Sequence, residues 1–282
     1  MKVSVSMYSF HSVIQKEKWS VLDFCGHAET LNLDGVELLD FYWKNKEKEL
    51  PEVVDYLKGS SLAVSCYDAS NDFVKETFEE RQSEIQKVKD AVDTAKQLGA
   101  PCVRTFCGDL KPGMNYSVAK DWIISSLKEC AKYAESDGVV LAIENHGLLA
   151  GKSEQVKEIL GEVGSSAVKS TFDTGNFLLV EDDPLSAYEN LKADIAHVHF
   201  KDFKKRTEAD GVKGFKGLGE TYWIGVIPGD GEVKLSEIIS NLKRDQVNTW
   251  LSLEYEGYDD PKVAVRDSVD RIKKLLAGQE VK

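Results

Sequence analysis

Short apolar runs alternate with longer amphipathic stretches from one end of the chain to the other. Residues 2–7 alternate polar and apolar positions, the period of a strand. Residues 19–31 read as a helix, 35–38 as a short buried strand, 50–57 as a helix and 62–66 as a third strand. The clearest helix follows. Ile85, Val88, Val92, Ala95 and Leu98 recur at three- and four-residue steps, and Gly99 closes the stretch. Residues 101–107 read as a strand. Trp122, Ile123, Leu127, Cys130, Ala131 and Ala134 form the apolar face of another helix, ended by Gly138, and 139–144 is a strand. A helix over 153–163, a strand over 168–173, a helix opened by Asp183-Pro184 and a strand over 195–199 come next. A long segment from 201 to 233 precedes a helix near 235–242 and a strand over 250–254. Asp260-Pro261 then opens a last helix with Val265, Val269, Ile272 and Leu276 on one face.

This makes about eight strand–helix units with no linker rich in Pro, Gly or Ser. Strands this short, read as apolar on both faces, are the pattern of buried parallel strands. Eight such units favour an α/β fold closed into a (β/α)8 TIM barrel over a doubly wound sheet. The length of 282 residues suits one barrel domain spanning 1–282, since this architecture typically takes about 250 residues.

Composition narrows the function. Hydrophobic residues at 42% and charged residues at 30% are the balance of a globular protein, and no apolar run is long enough to span a membrane. The first residues lack the basic and apolar regions of a signal peptide. The five cysteines, Cys25, Cys66, Cys102, Cys107 and Cys130, are odd in number and form no CxxC pair. Reduced thiols in a cytoplasmic protein are therefore expected. A net charge of −12 argues against a nucleic-acid backbone as partner and leaves a small-molecule substrate. A homo-oligomer stays open.

In a barrel of this kind, polar groups at the C-terminal strand ends point into the active site. Four expected strands end in ionisable residues: Glu144, Asp173, His199 and Glu254. A strand-terminal acid is often only solvated or capping. Four on neighbouring strands would be brought side by side by closure. Two Glu, one Asp and one His form a hard, oxygen-rich site suited to Mn²⁺, Co²⁺, Mg²⁺ or Zn²⁺.

The motifs Ile143-Glu144-Asn145-His146, Phe172-Asp173-Thr174-Gly175-Asn176, His197-Val198-His199-Phe200-Lys201-Asp202 and Leu253-Glu254-Tyr255-Glu256 resemble those of the xylose isomerase-like (sugar phosphate isomerase/epimerase) barrel superfamily. Gly35-Val36-Glu37-Leu38 and Val103-Arg104-Thr105-Phe106-Cys107-Gly108 match two further family segments. The resemblance implies that Glu144, Asp173, His199 and Glu254 ligate a divalent metal. It also implies that Glu144 and Glu254 are the catalytic acid and base. The epimerases of the superfamily place a histidine three residues after the ligand aspartate, where this chain has Asn176.

Further positions are weighed by placement. His146 and Lys201 each lie two residues beyond a candidate ligand, on the same side of an alternating strand, and could hold a substrate hydroxyl. Glu37 and Arg104 end earlier strands and are expected to ring the mouth, with Asn176 completing the substrate-binding set; a structural ion pair is the plainer role for Arg104. His197 is expected to point away from His199 as a core histidine. Tyr8 and His11 lie where they could line the cavity. Tyr222 and Trp223, in the long segment, are either a sugar-stacking lid or an anchor for that segment.

The leading expectation is a metal-dependent isomerase or epimerase that removes a proton next to the carbonyl of a sugar or polyol. The alternative is a metal-dependent dehydratase of a keto-cyclitol or 3-keto sugar, which shares the first half-reaction and then loses a β-hydroxyl. An endonuclease IV-like repair enzyme would need many more histidines than the five present. A non-catalytic sugar-binding barrel would have no need to keep all four candidate ligands.

Overall fold

The computed structural model describes residues 1–279. Among them, eight parallel strands close a barrel. They are β1 (Lys2–Ser6), β2 (Gly35–Leu39), β3 (Ala63–Asp68), β4 (Cys102–Thr105), β5 (Val140–Glu144), β6 (Val168–Asp173), β7 (Ile195–Phe200) and, after a three-strand excursion, β11 (Trp250–Leu253). Each pairs with its sequence neighbour, and β1 closes the ring against β11 with Val3 opposite Leu251 and Val5 opposite Leu253.

The strands are not apolar on both faces. Val3, Val5, Val36, Leu38, Val103, Leu141, Ile143, Phe172, Val198, Leu251 and Leu253 join the large core formed with the outer helices. Small and polar side chains alternate with them: Ser4, Ser6, Glu37, Cys66, Asp68, Cys102, Arg104, Ala142, His197 and His199 are all buried. The main hydrophobic burial therefore lies between barrel and helices, and the interior is left free to hold polar chemistry.

The helices follow their local signals. Thr77 and Glu80 form a capping box for the helix Phe78–Leu98, which Gly99 ends at φ +69°, a conformation only glycine adopts without strain. Asp183 and Asp260 cap Pro184–Leu191 and Pro261–Leu276. Each runs back to the start of the next strand and leaves the C-terminal strand ends open.

The excursion after β7 holds an antiparallel sheet of β8 (Asp202–Lys205), β9 (Phe215–Lys216) and β10 (Tyr222–Val226), in the order β8–β10–β9. The Asp202 carboxylate fixes its return, accepting N–H bonds from Gly229 at 2.8 Å, Gly231 at 3.0 Å and Val233 at 3.1 Å. Among the described residues, no helix is long and apolar enough to cross a membrane, and all five cysteines are buried, unbridged thiols.

Candidate active site

Glu144 ends β5, Asp173 ends β6, His199 lies one residue from the end of β7, and Glu254 follows β11. These four strands are adjacent in the barrel. Asp173 pairs with His199 in the ladder, Glu144 pairs with Thr171 two residues before Asp173, and Glu254 lies two residues beyond Ser252, the other partner of His199. One oxygen or nitrogen from each of the four lies within 4.8 Å of the others, and all four residues are buried. His199 Nδ1 is 3.7 Å from Glu144 Oε2, 3.7 Å from Asp173 Oδ2 and 3.5 Å from Glu254 Oε2.

Each side chain is held from behind. His199 Nε2 faces Glu37 Oε1 at 2.7 Å, and Glu37 Oε2 faces His197 Nε2 at 2.8 Å. An Nε2–H donated to that carboxylate turns Nδ1 toward the cluster. Burial pushes the Glu37 carboxyl up, but the two imidazoles outweigh it and hold it well below the carboxylate range. Burial disfavours charge on His199, yet the carboxylates of Glu37, Glu254 and Glu144 keep its pKa well above that of a free imidazole.

Glu144 receives Asn176 Nδ2 on Oε1 at 3.0 Å, and Arg104 Nε lies 3.2 Å from Oε2. Burial raises its pKa and is overcome by His199 and Arg104, leaving it lowered. Arg104 also bonds Asp68 Oδ2 at 3.1 Å and the Ala69 carbonyl at 3.0 Å. Asp173 Oδ1 accepts the N–H groups of Gly175 and Asn176, at 2.9 and 2.8 Å, capping the turn Asn176–Leu179. Asn145 clasps the Asp173 backbone in both directions, at 2.9 and 2.7 Å. Lys201 Nζ reaches Glu254 Oε2 at 2.6 Å, Glu256 Oε2 at 2.8 Å and Asp173 Oδ2 at 3.0 Å. Burial pushes Glu254 up to about 7 against the pull of Lys201 and His199.

These residues fit a divalent cation. His199 Nδ1 is buried without a hydrogen-bond partner, and it faces Glu144 Oε2, Asp173 Oδ2 and Glu254 Oε2. Three oxygen donors and one imidazole nitrogen converge there, with a carboxylate fixing the imidazole from behind.

The Xylose isomerase-like TIM barrel family model matches residues 25–275. The chain belongs to this family. It is 24% identical over 161 residues to an inosose dehydratase of Clostridium beijerinckii, covering 54% of this chain and 52% of that protein. The chain thus spans about half the length of the curated relatives it matches. A solved D-tagatose 3-epimerase-like protein superposes with a TM-score of 0.79 at 20% identity, covering 98% of this chain and 97% of that one. An IOLI protein with a binding zinc atom superposes with a TM-score of 0.79 at 17% identity over the full length of both chains. These two likenesses are of fold.

In this xylose isomerase-like barrel, a cavity of about 270 Å³ opens over the cluster. Glu144 and Glu254 line it, as do Arg104, His146, Asn176, Lys201 and Tyr8. Glu37 does not ring the mouth: it is fully buried one layer down, with both oxygens engaged by imidazoles. His197 does not point away from His199. The strand period of two puts both on the inner face, where their rings lie 5.4 Å apart and share Glu37. It is nonetheless a core histidine, fully buried. Arg104 makes the expected structural ion pair and also reaches the cavity. His11 bonds the Tyr42 hydroxyl at 2.8 Å and lines a neighbouring hollow instead. Trp223 is buried as an anchor, and the excursion's aromatic that lines the cavity, beside Tyr8, Phe41 and Phe106, is Phe215, which sequence reading passed over. Glu256, Asp68 and Asn145 were also missed as supporting residues. Glu256 had a local signal, since it stands two residues beyond Glu254 just as Lys201 stands two beyond His199.

Proposed function

We propose that this chain is a divalent-metal-dependent sugar isomerase or epimerase, with Glu144, Asp173, His199 and Glu254 as the metal ligands. The observation that carries the reading is the buried convergence of those four donors under a cavity that Glu144 and Glu254 both line. The zinc in one fold neighbour and the epimerase-like name of another support it. A bound dication supplies the charge that holds the oxygen anion developing when a proton leaves the carbon next to a carbonyl.

The protein's own groups do the rest. Glu144, held by Asn176 and Arg104, or Glu254, beside Lys201, takes the proton from carbon. In epimerisation the other of the two, carrying a proton taken up from water, returns one from the other side of the ring. Arg104, His146, Asn176 and Lys201 present the polar edges that orient the hydroxyls, and Tyr8 and Phe215 add aromatic wall to the cavity. Glu144 and Glu254 are only 3% and 6% exposed, so each meets solvent almost only through this cavity, which a bound substrate would fill. General-base catalysis of this kind contributes about 10²–10⁴-fold in rate.

A second reading is a dehydratase, in which the first proton removal is the same and a protonated carboxyl of the Glu144 and Glu254 pair protonates a departing β-hydroxyl, which leaves as water. The inosose dehydratase relatives favour it, as does Asn176 where the epimerases of the superfamily carry a histidine. A screen separates the two. Purified protein loaded in turn with Mn²⁺, Co²⁺, Mg²⁺ and Zn²⁺ is incubated in D₂O with ketoses, inososes and 3-keto sugars, and products are followed by NMR. Isomerisation or epimerisation leaves the formula unchanged apart from deuterium next to the carbonyl. Dehydration gives an enone or diketone lacking one water. No conversion of any member under any metal counts against both.

A further inference from the structure

Phe215 borders three hollows at once. One is the 270 Å³ cavity, another a 220 Å³ hollow on the Glu256 side, and the third a 520 Å³ groove on the Glu144 side. The groove shares His146, Asn176, Leu179 and Phe215 with the cavity, so the two adjoin. Beyond that boundary its walls turn apolar. Leu148, Val180 and Leu218 line it with glycine backbone at Gly147, Gly217 and Gly219, and Lys216 is its one formal charge. Leu148 is 52% exposed and Leu218 39%, large apolar side chains left in water at the rim.

The groove is built into the fold. Leu218 N–H donates to the Leu179 carbonyl at 2.6 Å, pinning the β9 arm to the turn after Asp173, and Gly217 N–H donates to the Thr221 carbonyl at 2.9 Å, closing the arm on itself. A Cβ on Gly217 would stand 3.0 Å from Trp223 Nε1 and 3.2 Å from the Leu179 oxygen, so the arm lies close against its support.

At 270 Å³ the cavity alone falls just below the usual range for small-molecule sites, about 300–1,000 Å³. A cavity that holds Arg104, Glu144, Lys201, Glu254 and Glu256 beside a groove whose only charge is Lys216 matches a ligand with one polar and one apolar part. A second sugar in the groove would find few hydrogen-bonding side chains beyond His146 and Asn176. We propose that the substrate is a glycoside: its carbonyl-bearing sugar ring sits over Glu144 and Glu254, and an aromatic aglycone lies in the groove against Leu148 and Leu218. This rests on the sugar-enzyme reading above and specifies its substrate class.

The test is calorimetric binding to the full-length, metal-free protein, so that no turnover is needed. The probes are methyl β-D-glucopyranoside and phenyl β-D-glucopyranoside, which differ only in the aglycone. They are compared on the unaltered chain and on a Leu148→Asp, Leu218→Asp double variant, whose fold is checked by circular dichroism. The phenyl glycoside should bind about tenfold more tightly, from burial of its ring, and the gap should shrink below about threefold in the variant. Equal affinities, no measurable binding of either probe, or a gap that survives the substitutions overturns the proposal. If the metal-by-substrate screen fails while the phenyl gap appears and closes, the chemistry is wrong and the groove assignment stands. If free sugars turn over and the gap is absent, only the groove assignment falls.

Discussion

His199 Nε2 lies 2.7 Å from Glu37 Oε1, and the other oxygen of that fully buried carboxylate faces His197. One acid from β2 thus sets the orientation of an imidazole on β7, from the far side of the barrel. Glu37→Gln should weaken divalent-metal binding by about 10–100-fold, the usual cost of losing such a partner. The amide keeps one acceptor and turns an NH₂ group toward the other imidazole. Competition against a metal-sensitive chelator reads the affinity. An unchanged value would remove Glu37 from the site.

Lys201 touches Asp173, Glu254 and Glu256, and two of these are proposed ligands. Removing one partner of a buried ion pair costs about 3–5 kcal/mol. Lys201→Met should therefore lower the unfolding midpoint sharply in EDTA. Saturating Mn²⁺ should recover most of that loss, because the cation would neutralise the same oxygens. Equal losses with and without metal would mean that ammonium and cation do not share this charge.

Asp202 ties β8 to the return of the excursion through three backbone N–H groups. In Asp202→Asn one acceptor becomes a donor facing those groups. A loss of about 1–3 kcal/mol is expected, the cost of a buried donor left unmatched. Hydrogen exchange should rise over residues 215–226 while the barrel strands stay protected. Uniform protection across both would show that the arm is anchored elsewhere.

The four cluster residues were legible because each stands at a strand end, and alternation along a strand is local information. Their supports were not. The Glu37–His199 pair joins positions 162 residues apart, and it depends on how the strands stagger when the barrel closes. His197 illustrates the opposite case. The period of two alone puts it beside His199, so that miss was a misapplied rule rather than missing information. Tyr222, Trp223 and Phe215 stand between these. In the small sheet Trp223 pairs with Phe215, which puts these two on one face and Tyr222 on the other, and that antiparallel register is not local information. The inner barrel face was misread for a simpler reason: Ser4, Cys66, Cys102 and Ala142 are small, and a short run of small and branched residues reads as apolar on both sides.

His27 is half-buried between the rings of Phe10 and Trp19, each 5.1 Å away, and its Nε2 has no partner. Burial lowers its pKa, Lys262 adds to this, and Glu17 opposes it. A histidine held below its unfolded value binds fewer protons folded than unfolded. Its contribution to stability is present above about pH 6.5 and is lost as the pH falls through that value. Unfolding midpoints measured from pH 7.5 to 5.5 should therefore fall less steeply in His27→Phe than in the unaltered chain. Parallel profiles would refute the assignment.

Anomalous diffraction from crystals grown with Mn²⁺ locates a cation directly. A single strong peak about 2.0–2.4 Å from donor atoms of Glu144, Asp173, His199 and Glu254 together is the expected result. In it, the Lys201 ammonium should have moved off at least one of the oxygens it holds in the metal-free protein. A peak that leaves out two of those four side chains, a peak at the buried Cys66, Cys102 and His197 instead, or no peak at saturating Mn²⁺ would contradict the proposed metal centre.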